Sequence, residues 1–300
     1  MFLNLGQVAN DEGKLAILAI DQRGTLRSML NNVSMPSSDD ALSSFKVDVV
    51  RALSPRSSGV LIDVEYGVGA VRQAGALAPG AGLLISSERS PQPTWNGEYR
   101  TEFSLDRGPA FVEAAGGVAL KFLVRWRPDR PAREGEPDLA QEALDAVQAV
   151  VDACRHHGMP SVIEPLVAAL PGERPLTAEQ KRKLVVRSAE LLSPVGPDLL
   201  KLEWPGVDDG CLEITRVCGS VPWALLSAGI DYETFVERVV TAMDAGASGF
   251  IAGRAVWGEA VGLSGGERSH FLKTIAVERM AGLAEAIAGR GRSWREVTRA

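Results

Sequence analysis

Short runs of β-branched and leucine-rich residues recur along the chain. Most are followed by a Gly, Pro or Asp turn and then by a longer stretch with apolar residues at helical spacing. Eight runs read as strands: Leu15–Ile20, Gly59–Ile62, Leu83–Ile85, Ala119–Val124, Ser161–Glu164, Leu199–Leu202, Trp223–Leu226 and Gly249–Ala252. Helical patterns cover Asp39–Leu53, Asp138–His157, Thr177–Leu192, Tyr232–Ala245 and Arg268–Ala288, with Ser38, Thr177 and Asp231 at N-cap positions and Gly158 and Gly246 where C-caps belong. Strands alternating with helices predict a parallel sheet. Eight such units in 300 residues fit an α/β chain folded as a single (β/α)8 TIM barrel over positions 1–300, a fold that typically needs about 250 residues. An open doubly wound sheet is the alternative, disfavoured because no GxGxxG follows the first strand. The segments Ser86–Asp106 and Arg127–Pro137, rich in Ser, Pro, Gly or charge, read as surface loops.

Composition narrows the function classes. With 45% apolar residues, a formal charge of -6 and no low-complexity tract, the chain has ample core and no overall basic field to hold a phosphodiester backbone, so nucleic acid is not an expected partner. Three cysteines, Cys154, Cys211 and Cys218, have no metal-ligand spacing, and an odd, sparse count suits a reducing compartment. The first residues carry no basic segment before an apolar stretch, and no apolar run approaches the ~20 residues that cross a bilayer. The expectation is a soluble, unprocessed, cytoplasmic protein without a membrane partner, in which a homo-oligomer is compatible with the sequence.

In a (β/α)8 barrel the working residues stand at the C-terminal ends of the strands. There the chain carries Asp21-Gln22-Arg23, Asp63, Lys121, Glu164, Lys201 with Glu203, Ser227-Ala228-Gly229, and Gly253-Arg254. Two of only seven lysines, Lys121 and Lys201, are embedded in apolar strand sequences, ALKFLV and DLLKLEW. A lysine in an apolar site near another cation has its ammonium form disfavoured and can condense with a ketone, which arginine cannot do. The alternative is a buried ion pair of Lys201 with Glu164 or Glu203 that merely closes the barrel. Glu164, ending the run SVIEP, is a candidate proton carrier or a salt-bridge partner of either lysine. Asp21 and Asp63 read equally as proton carriers or as hydrogen-bond acceptors that orient loops. The small residues after the last two strands, LLSAGI and GFIAGRAVW, put backbone N–H groups and Arg254 where a phosphate can be cradled. Arg23 is a second anion anchor or a solvated loop arginine. None of the three histidines ends a strand, so no histidine zinc site is expected, while an oxygen-ligand magnesium site from Asp21, Asp63, Glu164 and Glu203 remains open.

On these residues the sequence resembles the class I, Schiff-base aldolases of the tagatose 1,6-bisphosphate aldolase family. The likeness runs through LAIDQRG at 18–24, FKVDVVRALSP at 45–55, GGVALKFLVRWRPD at 116–129, VIEP at 162–165, DLLKLEWP at 198–205, VPWALLSAGID at 221–231 and AGASGFIAGRAVW at 245–257. Within the family several of these segments are most similar to the sulfofructosephosphate aldolases of sulfoglycolysis, while DVEYG at 63–67 and Gly24 look more like the tagatose bisphosphate branch. The resemblance implies a lyase that needs no cofactor or metal and takes a sugar phosphate. Lys201 would form the Schiff base and Glu164 would be the acid/base residue, with Ser227, Gly229, Gly253 and Arg254 on the phosphate of the dihydroxyacetone half. Asp21 and Asp63 would join the substrate site, and Gln22, Arg23 and Lys121 would meet a second anion at C6, Lys121 also being a like charge near Lys201. The expected reaction is cleavage of 6-deoxy-6-sulfofructose 1-phosphate to dihydroxyacetone phosphate and 3-sulfolactaldehyde, with tagatose 1,6-bisphosphate cleavage as the alternative. A barrel that binds a sugar phosphate without cleaving it is the alternative from another class.

Overall fold

A computed structural model describes residues 2–299. Eight parallel strands close into a barrel: β1 (Leu15–Ile20), β2 (Gly59–Ile62), β3 (Gly82–Ser86), β6 (Ala119–Trp126), β7 (Ser161–Val167), β8 (Leu199–Leu202), β9 (Trp223–Leu226) and β10 (Gly249–Ala252), with β10 returning to pair with β1. Between β3 and β6 a two-stranded hairpin, β4 (Thr94–Trp95) and β5 (Glu98–Tyr99), stands outside the barrel sheet. Five of the eight barrel strands have the bounds that their apolar runs predict. The caps follow as well, since the side chains of Ser38, Thr177 and Asp231 accept from the N–H groups of Ala41, Gln180 and Thr234. Among the described residues no helix is long and apolar enough to cross a membrane.

Strand alternation divides the core into two shells. Leu15, Ile17 and Ala19 of β1 join Leu61, Leu84, Ala119, Val162, Leu199, Ala224 and Ile251 in a cluster inside the barrel, with Leu5 and Val8 below it. Their neighbours, among them Ala16, Leu18, Ile20, Leu120, Phe122, Leu200 and Leu202, face outward onto the helices. Side chains two residues apart share a face of a strand. The inward set therefore continues, one step above Ala19, Ala119, Val162 and Leu199, into Asp21, Lys121, Glu164 and Lys201. The apolar interior is thus capped by charged groups at the C-terminal mouth.

Several segments depart from the expected pattern. The region after Ser86 is not a plain surface loop: Ser86, Ser87 and Glu88 are buried, and the turn of the hairpin is Asn96-Gly97, both at positive φ (47° and 83°), the requirement of a type I′ turn. Strand β6 runs two residues beyond its predicted end, to Trp126, because the alternation Lys121, Leu123, Arg125 continues and pairs through to Val167 of β7. The long helical pattern at the C-terminus begins at Gly265 and is interrupted by a π turn, Leu272–Ala276, before resuming over Val277–Ile287.

One buried ion pair outside the barrel fixes the mouth from behind. Lys46, in the helix Asp39–Leu53, is fully buried; its Nζ bonds to Asp63 and donates to the carbonyls of Ile20 (2.7 Å) and Gln22 (2.9 Å). Burial pulls this ammonium below the ordinary lysine value, although Asp63 opposes the shift. Replacing Lys46 with methionine strands a buried carboxylate and two carbonyls, and is expected to cost about 3–5 kcal/mol of stability, read as a lowered urea midpoint. The double replacement Lys46→Met with Asp63→Leu should recover part of that loss, because removing both charges is far less costly than orphaning one.

Candidate active site

The mouth opens into a cleft with two lobes of about 430 and 220 Å³. Their common wall is made of Gln22, Glu164, Leu166, Lys201 and Arg254. The smaller lobe continues to Ser227, Ala228 and Gly253, and the larger to Arg23, Glu88, Gln92, Tyr99, Lys121 and Arg125. Lys201 stands at the junction.

Its neighbours form a continuous charged chain. Glu164 bridges the two lysines, with Oε1 2.8 Å from Lys201 Nζ and Oε2 2.7 Å from Lys121 Nζ. Lys121 also meets Asp21 Oδ2 at 3.0 Å and Glu88 Oε1 at 3.2 Å. Glu88 in turn accepts from Arg23 Nη2 at 2.7 Å and from the N–H of Leu123 at 3.1 Å. Asp21, Glu88, Lys121, Glu164 and Lys201 are all buried, so these charges interact with little solvent screening. Burial alone would pull the Lys121 ammonium down, but Asp21, Glu164 and Glu88 outweigh it and hold the group well above the usual lysine range. Burial alone would likewise raise Asp21, yet Lys121, Lys201 and Lys46 keep its carboxyl well below the usual carboxylate range.

These contacts correct several expectations. Lys121 is not a free distal cation: ringed by three carboxylates, it is the fixed counter-charge around which they are arranged. Arg23 lines the larger lobe but is bound to Glu88 and, at 3.3 Å, to Glu65. Asp63 does not face the cleft. The chain turns after β2 into the segment Val64–Val68, and the Asp63 carboxyl caps it by accepting from Tyr66 N–H (2.7 Å) while meeting Lys46 on the outer side. The four carboxylates considered for magnesium are instead each engaged by a lysine, in three separate places: Asp21 and Glu164 by Lys121, Asp63 by Lys46, and Glu203 by Lys181 at 2.9 Å. Glu203 also accepts from Val167 N–H at 2.8 Å, tying β7 to β8. Glu88 is missed by sequence reasoning, although its place just after an apolar strand was the signal that could have found it.

At the smaller lobe the ends of β9 and β10 are joined. Gly253 N–H donates to Ser227 Oγ (3.2 Å), and Arg254 Nη2 donates to the Ala228 carbonyl (3.2 Å). Gly229, exposed and at φ +83°, lies directly against the guanidinium; a Cβ there would stand 3.0 Å from Arg254 Cζ. Glycine at this position supplies both the left-handed turn and the room for Arg254. Gln22 contributes a buried carboxamide oxygen with no hydrogen-bond partner among the described residues. A buried acceptor left unpaired is costly, and this one borders both lobes, where a ligand hydroxyl can satisfy it.

The cations lining the cleft differ in how far they are committed. Arg23, Arg89, Lys121 and Lys201 each have a carboxylate partner. Among the described residues, Arg125 and Arg254 have none. The cleft therefore offers a lysine paired only to Glu164, a proton acceptor beside it, and two uncommitted guanidiniums, Arg254 in the wall shared by the lobes and Arg125 in the larger lobe alone.

Comparison with known proteins gives this arrangement its context. The profile of the DeoC/LacD family aldolase matches residues 15–259. A tagatose 1,6-diphosphate aldolase of Listeria monocytogenes is 29% identical over 297 residues, covering 91% of this chain and 86% of the relative. Tagatose 1,6-diphosphate aldolase 2 of Enterococcus faecalis is 26% identical over 320 residues, covering 97% and 94%. Among solved structures, an archaeal fructose 1,6-bisphosphate aldolase superposes with a TM-score of 0.64 at 17% identity, covering 94% of this chain and 97% of that one. The fructose-bisphosphate aldolase of Plasmodium falciparum does so with a TM-score of 0.70 at 15% identity, covering 96% and 94%.

Proposed function

The chain belongs to the DeoC/LacD family of aldolases, carbon–carbon lyases, and from that premise we propose that it cleaves a ketohexose 1,6-bisphosphate of the tagatose type through a Schiff base on Lys201. The observation that carries the reading is Glu164 held 2.8 Å from Lys201 Nζ at the junction of the two lobes. Tagatose 1,6-diphosphate is the substrate in the names of the two relatives, and the two-lobed cleft has room for an anion on each side of the reacting carbons.

The proton inventory suits the chemistry. Glu164 takes a proton from the Lys201 ammonium, the freed amine attacks the C2 carbonyl, and the carbinolamine forms. Glu164 returns that proton to the carbinolamine hydroxyl, which leaves as water. An ammonium and a ketone have become an iminium and water with no net change in charge, so the ion pair survives and Glu164 is again a carboxylate. It then accepts the C4 hydroxyl proton as the C3–C4 bond breaks and its electron pair flows into the iminium. Glyceraldehyde 3-phosphate departs, Glu164 passes the proton it has taken to C3 of the enamine, and addition of water to the resulting iminium releases dihydroxyacetone phosphate and restores the Lys201 ammonium beside the Glu164 carboxylate. Asp21, kept ionised by Lys121, remains an acceptor throughout.

The smaller lobe holds the 1-phosphate in this reading, with Ser227, Gly253 and Arg254 as donors, so that binding energy remote from the breaking bond orients C2 over Lys201. Replacing Arg254 with alanine is expected to lower kcat/KM by about 2–4 kcal/mol of recognition, a loss of roughly thirty- to a thousandfold. Steady-state kinetics checks it, and an unchanged specificity constant would remove Arg254 from the cradle.

Cleavage of 6-deoxy-6-sulfofructose 1-phosphate to dihydroxyacetone phosphate and 3-sulfolactaldehyde is the second reading. It is favoured by Arg125, the one guanidinium bordering the larger lobe alone that has no carboxylate partner among the described residues, whose single charge matches that of a sulfonate. A side-by-side assay of dihydroxyacetone phosphate release from the bisphosphate and the sulfosugar phosphate decides between them. Sodium borohydride reduction in the presence of dihydroxyacetone phosphate, followed by peptide mass spectrometry, tests what both share: no adduct on Lys201 would defeat both.

A further inference from the structure

We propose that Arg125, backed by Tyr99, is the receptor for a tetrahedral oxyanion at C6 of the substrate, a phosphate monoester or a sulfonate. This rests on the Schiff-base reading of Lys201 and adds a residue that selects the substrate. The first support is positional. β6 is the longest barrel strand, and its alternation places Arg125 on the same face as Lys121, four residues further along. At about 3.3 Å of rise per residue its Cα stands roughly 13 Å above that of Lys121. An arginine side chain reaching back from there meets the far end of a six-carbon chain whose C2 lies over Lys201.

Charge is the second support. Of the cations bordering only the larger lobe, Arg23, Arg89 and Lys121 are bound to Glu88, Asp106 and the three buried carboxylates. Arg125 alone has no carboxylate partner among the described residues, although it is half-buried and lines the cleft. Its Nη1 donates to Tyr99 Oη at 3.1 Å and its guanidinium stacks on the Tyr99 ring at 4.9 Å. Stacking orients the planar fork and leaves its other N–H groups for a bidentate oxyanion. Gln92 adds a buried, unpartnered Oε1 to the same lobe, its Nε2 being spent on the Leu123 carbonyl at 3.0 Å, and this oxygen suits a hydroxyl near the anion.

The competing role is structural, a clasp that holds the β4–β5 hairpin by stacking. Three substrates separate the two roles: a ketose 1,6-bisphosphate, the corresponding 6-deoxy-6-sulfo 1-phosphate, and a ketose 1-phosphate with a free C6 hydroxyl. In Arg125→Leu the ratio of kcat/KM for a C6-anionic substrate over the C6-hydroxyl substrate should fall about thirty- to a hundredfold. Arg125→Lys, which keeps charge without the fork, should lose less. The anion whose ratio falls is the one received, and a fall for both means that either is accepted. An unchanged ratio overturns the proposal, whether all activities drop together, as a clasp would require, or none does. The wild-type borohydride adduct on Lys201 is read first: its absence overturns the Schiff-base reading together with this one, whereas an adduct with an unchanged ratio overturns the Arg125 assignment alone.

Discussion

Lys201→Ala should reduce aldol cleavage to background and abolish the borohydride-trapped adduct while leaving the barrel folded. Among the described residues the deleted group is the only amine that both lobes share, and covalent catalysis has no substitute once the nucleophile is gone. The remaining lysine of the mouth cannot take over, because Lys121 keeps its proton among three carboxylates. The fold should tolerate the change. Glu164 retains Lys121 at 2.7 Å, and the space vacated opens onto the cleft, where water can enter rather than leave a dry cavity. Steady-state assay, adduct mass and thermal unfolding measure the three parts separately. A merely partial loss of turnover would mean that another amine does the chemistry. Lys201→Arg should be as inactive as the alanine variant, since guanidinium preserves the ion pair but offers no free amine.

Glu164→Gln should lower kcat by about 10²- to 10⁴-fold, the usual contribution of a positioned general acid/base. Glutamine keeps the shape of the side chain but can neither take the Lys201 proton nor receive that of the C4 hydroxyl. Because the same carboxylate serves imine formation and bond cleavage, the adduct should also form more slowly, and a time course of trapping distinguishes this from a defect in cleavage alone. Lys121 still has Asp21 and Glu88 after the substitution, so its charge is not orphaned. The two ammonium groups, however, lose the carboxylate between them, and some loss of thermal stability should accompany the kinetic one. If kcat stayed near the wild-type value, the proton transfers would belong to another group lining the cleft, such as Asp21.

Much of the architecture was legible because it is written in local periodicity. The run Leu15–Ile20, buried on both faces, could only be a covered strand, and Thr177, Ser38 and Asp231 announced helix starts through side-chain oxygens that accept from the N–H three residues on. Lys121 and Lys201 stood out for the same reason: an ammonium inside an apolar strand conflicts with its surroundings unless the fold answers it. Glu88 did not stand out, because a carboxylate in a segment rich in Ser and Pro looks solvated until Arg23, Lys121 and the Leu123 N–H converge on it. The hairpin was signalled by Asn96-Gly97, but its flanking strands are two residues each, too short to register as alternation.

The eight strands, the alternation of their faces, and the ionisable groups at the mouth other than Glu88 and Arg125 follow from the order of residues alone, since side-chain direction in a strand is fixed by a period of two. Which charge meets which was decided only when the barrel closed and brought together positions far apart in the chain, Asp21 and Lys121 at the mouth being a hundred residues apart. That closure turned Lys121 from a free cation into a counter-ion, sent Asp63 outward to Lys46, and left Arg125 and Arg254 without a carboxylate partner among the described residues. Electrostatic pairing depends on distances of a few ångströms and on exclusion of water, neither of which exists until the chain is folded.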